Sequence, residues 1–356
     1  EAVLQALSTV RDPDLHRDLV SLGMIRDVKV AGPNVSFSVI LTTPACPMKS
    51  RIERECREAV GRIPGIGDIA VTMGASVAQP RAAAPTGRVP GVAHAIAVAS
   101  GKGGVGKSTV SVNLAVALAE AGARVGLLDA DIYGPSVPTM MGIQRMPEMD
   151  ERGRIVPPEA HGVKLMSLGF LLPDRSTPVI WRGPMIGKAL NQFLRDVRWG
   201  ELDYLFLDLP PGTGDAQLSL SQSLALSGAL IVTTPQDVAM TIASRVLLMF
   251  RKMNVPILGI VENMSGYVCP TCHHETPIFS RGGGRRASAQ LQVPFLGAIP
   301  LDAELSAGGD EGRPILLRNP GSPVADVVRE VAQALAARVS VEALRTPEGA
   351  RPPQAG

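Results

Sequence analysis

Residues Gly101 to Thr109 read GKGGVGKST and satisfy the pattern G-x-x-x-x-G-K-S/T at every position. A strand-like run, Ile96–Ala99, precedes this stretch, and a helical pattern follows it with Val110, Leu114, Leu118 and Ala121 on one face. Glycines between a buried strand and a helix start let the backbone curl until its N–H groups point inward at phosphate oxygens. The helix terminus adds partial positive charge. In such a loop Lys107 reaches the β- and γ-phosphates, and the Ser108 hydroxyl ligates Mg²⁺. The expected nucleotide-binding residues are therefore Gly101, Lys102, Gly103, Gly104, Val105, Gly106, Lys107, Ser108 and Thr109. A glycine-rich turn with no ligand is the competing reading, and the complete motif with both flanking elements outweighs it.

The chain around this loop has a regular rhythm. Apolar strand-like runs occur at 95–99, 124–128, 164–168, 203–207, 229–233, 257–261 and 295–299, with helical patterns between most of them. Strands alternating with helices predict an α/β fold, a parallel β-sheet carrying helices on both faces. A last helix is expected over 323–338. The first seventy-odd residues differ: a helix over 1–9, strands at 23–31 and 34–42 joined by Gly32-Pro33-Asn34, a helix over 48–60 opened by Pro47, and a strand at 66–73. These predict a small α+β domain over 1–74. Residues 75–93 are rich in Ala, Pro, Gly, Arg and Gln and are expected to be a linker. The nucleotide-binding domain is expected over 94–340 and a disordered tail over 341–356.

Composition narrows the partners. The 356 residues carry 35 basic and 33 acidic side chains, a net charge of +2, and only 3% aromatics. Neither electrostatic attraction to nucleic acid or anionic membrane nor a base-stacking platform is expected. No apolar run approaches the roughly 20 residues of a membrane span, and Glu1-Ala2-Val3-Leu4 has no basic and apolar leader pattern. Four cysteines cannot staple a chain of this length. A reducing, cytoplasmic setting is expected, with clustered cysteines serving as ligands or redox groups.

The cluster is Cys269-Pro270-Thr271-Cys272, followed by His273 and His274. Three readings stand: a redox pair, a zinc site lacking two well-spaced ligands, or half of a four-thiolate set completed by a second copy of the chain. Strand-terminal acids supply further candidates. Asp129 and Asp131 end one apolar run and Asp208 ends another, where parallel sheets gather ligand-binding groups. Asp208 suits water-mediated support of Mg²⁺, and Asn263 carries an amide able to read the adenine edge.

The run GKGGVGKS resembles the deviant Walker motif of the MinD/ParA/nitrogenase-iron-protein class of ATPases. That resemblance implies that Lys102 reaches across a homodimer to the partner's nucleotide. Combined with DADIYGPS at Asp129–Ser136, DLPPGTGD at Asp208–Asp215, VENMS at Val261–Ser265 and CPTC, the chain resembles the Mrp (ApbC-like) iron–sulfur cluster carrier family over essentially all of 93–338. Residues 11–14 (RDPD) and 42–48 (TTPACPM) resemble the small MIP18-type domain that precedes the ATPase in many such proteins. The resemblance implies ATP hydrolysis that is slow and switch-like. Lys102, Lys107 and Asp131 would be catalytic, Asp131 orienting the attacking water with Asp129 as the alternative. Ser108 and Asp208 would serve Mg²⁺, and Asn263 would favour ATP. It also implies that Cys269 and Cys272 of two subunits hold a four-iron (4Fe-4S) cluster destined for apoproteins, and that Cys46 handles iron or cluster. His273 departs from the C-P-x-C-G-type run and leaves zinc open. The runner-up is a positioning ATPase that cycles on membrane or DNA, with a zinc-stapled C-x-x-C. It lacks a basic amphipathic terminal helix, and Arg281, Arg285 and Arg286 form only a short, glycine-broken cluster.

Overall fold

The computed structural model describes residues 1–77, 87–132, 134–171, 183–212, 224–269, 271–272 and 274–345. In the amino-terminal unit the strands Ile25–Ala31, Asn34–Leu41 and Ile69–Ala75 form a three-stranded sheet in that order, antiparallel then parallel. Val35, Phe37, Val39 and Leu41 alternate with partly exposed residues, so one face of the middle strand is buried. The helix Lys49–Gly61 covers that face with Ile52, Cys56 and Val60, spaced by four along one side. Cys56 is thus a core residue, and burial pushes its thiol up to about 12.

Among the described residues the larger unit is built on a nine-stranded sheet. From one edge its order is Glu275–Thr276, Ile257–Val268, Gly228–Thr233, Val92–Ser100, Leu202–Asp208, Val125–Asp129, Val163–Ser167 and Glu159–Ala160, with Phe295–Leu301 paired to Ile257–Val268. The central pairings are all parallel, and only the two short edge strands run antiparallel. Leu202–Asp208 is buried at every position, as a strand covered on both faces must be.

From Val92–Ser100 the chain steps toward Val125–Asp129, while from Gly228–Thr233 it steps the opposite way to Ile257–Val268. Right-handed crossovers then put the helices Lys107–Glu120 and Asp237–Lys252 on opposite faces. The change of direction beside Val92–Ser100 opens a crevice at the carboxyl ends of the strands, and the glycine-rich loop lies there. Lys107–Glu120 is buried around nearly its whole circumference rather than on one face. The cause is a second layer: the helix Pro323–Leu344 packs over it.

That last helix begins with Ser322, whose hydroxyl accepts the Ala325 N–H, and with Pro323 in its first turn. It continues to Leu344, so the tail expected from 341 is still helical through 344. Residues 346–356 lie outside the described residues, as do 78–86 of the expected linker. Within that expected linker, Val92 already begins a strand and Val89 is buried in the larger core.

The two units touch through residues 42–45. The Tyr204 hydroxyl donates to Thr43 Oγ1 at 3.0 Å, Ser340 Oγ lies 3.5 Å from the Thr42 carbonyl, and Ala45 is buried in the larger core. Tyr204 stands near the amino end of its strand, and the strand's other end is Asp208. At about 3.3 Å per residue those two ends are roughly 13 Å apart. The small unit therefore docks at the end of the sheet opposite the glycine-rich loop.

Candidate functional site

Asp208 organises the loop. Its carboxylate is fully buried and meets Lys107 Nζ at 2.7 Å. It accepts hydrogen bonds from Ser108 Oγ and Ser111 Oγ, each at 2.6 Å. Ser111 follows Ser108 by three residues and Lys107 by four, so its hydroxyl reaches the side of the helix start that both of them approach. Ser111 escaped the sequence reading, although its spacing from Lys107 is a usable signal. The loop's close fit depends on Gly106, which has φ +78° and caps the helix. A Cβ there would lie 2.2 Å from Asn263 Nδ2. The same Nδ2 donates to the Val105 carbonyl at 2.9 Å, so Asn263 braces the loop from Ile257–Val268, two strands away from the strand that feeds it.

Asp129 is also fully buried and faces Asp208. Burial, and then the charge of Asp208, hold its carboxyl well above the ordinary carboxylate range. Its oxygens accept the Asp131 N–H at 3.1 Å, the Ser167 hydroxyl at 3.0 Å and the Val137 N–H at 3.4 Å. Asp129 thus pins both ends of the turn that carries Asp131, and it stands beside Asp208. Tyr133 within that turn and residues 213–223, which include the end of DLPPGTGD, lie outside the described residues. Lys102 leaves the loop sideways, and its Nζ donates to Gln236 Oε1 at 3.0 Å. Gln236 and Ser167 carried no sequence signal, since each meets its partner only through the fold.

The cysteine pair sits at the end of the strand that carries Asn263. Ile257–Val268 shifts register against Phe295–Leu301 between Asn263 and Tyr267, where Met264 takes φ 56°. This bulge re-aims the strand and carries it beyond the sheet body to Cys269. The turn closes with the Cys269 N–H on the His274 carbonyl at 3.1 Å. The N–H of Cys272, and next that of Thr271, hold the Cys269 thiol below its ordinary value. Cys272 is exposed, and Val268, Ile278, Phe279 and Leu301 on the adjoining strands and loop are exposed as well. Among the described residues no group of three or more His, Cys, Asp or Glu side chains could hold a metal ion. Pro270 and His273 lie outside the described residues.

Cys46 is elsewhere. It follows the contact segment 42–45, at the opposite end of the sheet from the glycine-rich loop and its acids. Burial, helped by the charges of Asp12 and Asp14, pushes its thiol up against the lowering effect of the Met48 N–H.

Residues 91–336 match the family described as NUBPL iron-transfer P-loop NTPase (ParA), and residues 1–73 match the iron-sulfur cluster assembly protein family. The iron-sulfur cluster carrier protein of Deinococcus radiodurans is 52% identical over 345 residues, covering 97% of each chain. A nucleotide-binding protein from Archaeoglobus fulgidus, solved in complex with ADP, superposes with a TM-score of 0.59 at 37% identity, over 67% of this chain and 93% of that one. The cell division ATPase MinD of Pyrococcus furiosus superposes with a TM-score of 0.52 at 23% identity, over 68% of this chain and 98% of its own. The last likeness is one of fold.

Proposed function

This chain belongs to the family of NUBPL-type iron-transfer P-loop NTPases, and from that membership we propose that it is an ATP-dependent iron–sulfur cluster carrier. It works as a homodimer and delivers its cargo to apoproteins. The observation that carries the reading is covalent continuity. One strand supplies Asn263, which holds the phosphate loop at Val105, and then runs on to Cys269 and Cys272. A change at the nucleotide thereby has a direct route to the thiols.

In this reading Lys107 would leave Asp208 for the phosphates, while Ser108 and, through water, Asp208 would hold Mg²⁺, whose charge would offset that of the phosphates. Asn263 keeps its grip on Val105 and turns the rest of its amide to the adenine. Asp131, held by Asp129, orients the water that attacks the γ-phosphate, and the partner's lysine at position 102 neutralises the charge that develops. Positioning and charge neutralisation suffice for phosphoryl transfer. Turnover is slow because the nucleotide acts as a switch.

Each chain offers two thiols, Cys269 and Cys272, and a four-iron cluster needs four. A second copy supplies the other pair and covers the exposed Val268, Ile278 and Phe279. The cluster is cargo, held at an exposed rim from which an acceptor's cysteines can take it. Cys46, half-buried against the small domain's own core at the other end of the sheet, handles iron or cluster there.

The test is transfer itself. Protein reconstituted anaerobically is mixed with an apo-enzyme that needs a four-iron cluster, with and without Mg·ATP. The proposal expects activation of the acceptor by the wild type and none by Cys269→Ala/Cys272→Ala, with ATP binding equal in both. Activation that persists in the double variant overturns it.

A further inference from the structure

Lys102 is held by its own chain. Its ammonium donates to Gln236 Oε1 at 3.0 Å, and the same oxygen accepts the Thr234 hydroxyl at 2.9 Å. The amide oxygen therefore has two donors fixing its direction. The backbone beneath it is equally constrained. Gln236 is the extended residue that precedes the helix Asp237–Lys252, and its side chain does not cap that helix. The preceding Pro235 is buried, and its carbonyl accepts the Ser280 hydroxyl at 2.6 Å. Gly283 packs so closely on that carbonyl that a Cβ there would lie 2.3 Å from the oxygen. Gln236 is thus a rigidly mounted acceptor aimed at the one lysine that the proposed mechanism sends to the partner subunit.

We propose that Gln236 is the positioning residue for Lys102: it parks the lysine in cis, and the parked state competes with the lysine's reach across the dimer. This inference rests on the reading of Lys102 as a residue acting in trans. The competition has a direction. The free energy of the Lys102–Gln236 bond is subtracted from dimer formation, because Lys102 must give up that bond before it reaches the other nucleotide. A stronger acceptor holds the lysine back, and a missing acceptor releases it. The mount also joins two functional segments, since Ser280 and Gly283 belong to the loop and helix start that follow the cysteine turn.

The test uses Gln236→Ala and Gln236→Glu, each made in the wild type and in Lys102→Ala. The first readout needs no dimer: the rate of reductive methylation of the Lys102 amine in nucleotide-free protein, followed by peptide mass spectrometry. Gln236→Ala is expected to raise that rate several-fold, and Gln236→Glu to lower it. The second readout is the dimer dissociation constant with Mg²⁺ and a non-hydrolysable ATP analogue, measured by sedimentation. A partly exposed, charge-assisted hydrogen bond corresponds to a shift of roughly fivefold. Each dimer releases two such lysines, so Gln236→Ala is expected to tighten it by about the square of that factor, roughly 25-fold, and Gln236→Glu to weaken it, with neither change moving the constant when Lys102 is alanine. Unchanged methylation in Gln236→Ala overturns the inference, as do shifts of equal size in the Lys102→Ala background. Methylation that responds as expected in a wild type that never dimerises would uphold the parking of Lys102 and overturn the trans role on which its consequence rests.

Discussion

Replacing Lys107 by methionine should destabilise the nucleotide-free protein by an amount that grows with pH. Lys107 and Asp208 form a buried pair at 2.7 Å, with side-chain exposures of 6% and 0%. Methionine preserves most of the lysine's length and volume, so the cavity contribution is small and the change is mainly electrostatic. Breaking a buried pair by removing one partner costs about 3–5 kcal/mol, because a charge is left uncompensated. Here a second buried acid shares the site. Asp129 is already pushed up to about 8 by burial and by Asp208, and Lys107 opposes that shift. A carboxyl raised in the folded state contributes stability that is fully present below its unfolded value near 4, and this is lost as pH rises toward its folded value. Loss of Lys107 lifts Asp129 further and extends that decline. The slope is bounded at about 1.4 kcal/mol per pH unit for one proton. Below about pH 8 Asp129 is protonated in both folded proteins, so the penalty is flat there at about 3 kcal/mol, and from pH 8 to pH 9 it grows by up to about 1.4 kcal/mol. At roughly 3 °C per kcal/mol, the Tm falls by about 9 °C at pH 6 and by up to about 13 °C at pH 9. Differential scanning calorimetry in EDTA without nucleotide measures both. An equal fall at the two pH values, or none, would refute the picture of buried acids sharing one lysine.

Gly106→Ala should cost about 2–3 kcal/mol and weaken ATP binding at least tenfold by calorimetric titration. The added Cβ meets Asn263 Nδ2 at 2.2 Å and must keep φ at +78°. Gly104→Ala has the same φ with no atom within 4 Å of its Cβ, so it should cost only about 1 kcal/mol; equal losses would remove Asn263 from the account. Timed alkylation of the apo protein at pH 7.5, read by peptide mass spectrometry, should modify Cys269 and Cys272 first, Cys46 later and Cys56 last. The lowered thiol of Cys269 and the raised thiols of Cys46 and Cys56 set that order. Cys46 or Cys56 reacting ahead of Cys269 would refute that order.

Much of this architecture is legible in the chain because it is stored locally. Strands buried on both faces read as unbroken apolar runs, so the parallel strands from Val92–Ser100 to Phe295–Leu301 announce themselves. The phosphate loop is contiguous, and Asp208 ends a strand. The start of the last helix is marked by Ser322-Pro323, whereas its end has no glycine stop and runs to Leu344. Where partners lie far apart in sequence, the signal fades. Ser111 is deducible from helical spacing, but the meeting of Asp129 with Asp208, and of Lys102 with Gln236, exists only in the folded sheet.

Two further features were beyond reach for specific reasons. Gly266 marks the bulge at Met264 only as a weakened strand position, so Asn263 suggests a base-reading amide without revealing its bond to Val105. The position of Cys46 depends on a dock made from Thr42, Thr43, Ala45, Tyr204 and Ser340. None of those residue types identifies an interface by itself.

The central claim is that Cys269 and Cys272 from two copies of the chain hold one cluster. Its most direct test is the iron, sulfide and zinc content per dimer after anaerobic reconstitution, for the wild type and for Cys269→Ala/Cys272→Ala. About four irons and four sulfides per wild-type dimer, absent from the variant while ATP binding is retained, is the predicted result. Stoichiometric zinc that survives an iron and sulfide challenge, or iron that remains in the variant, would contradict it.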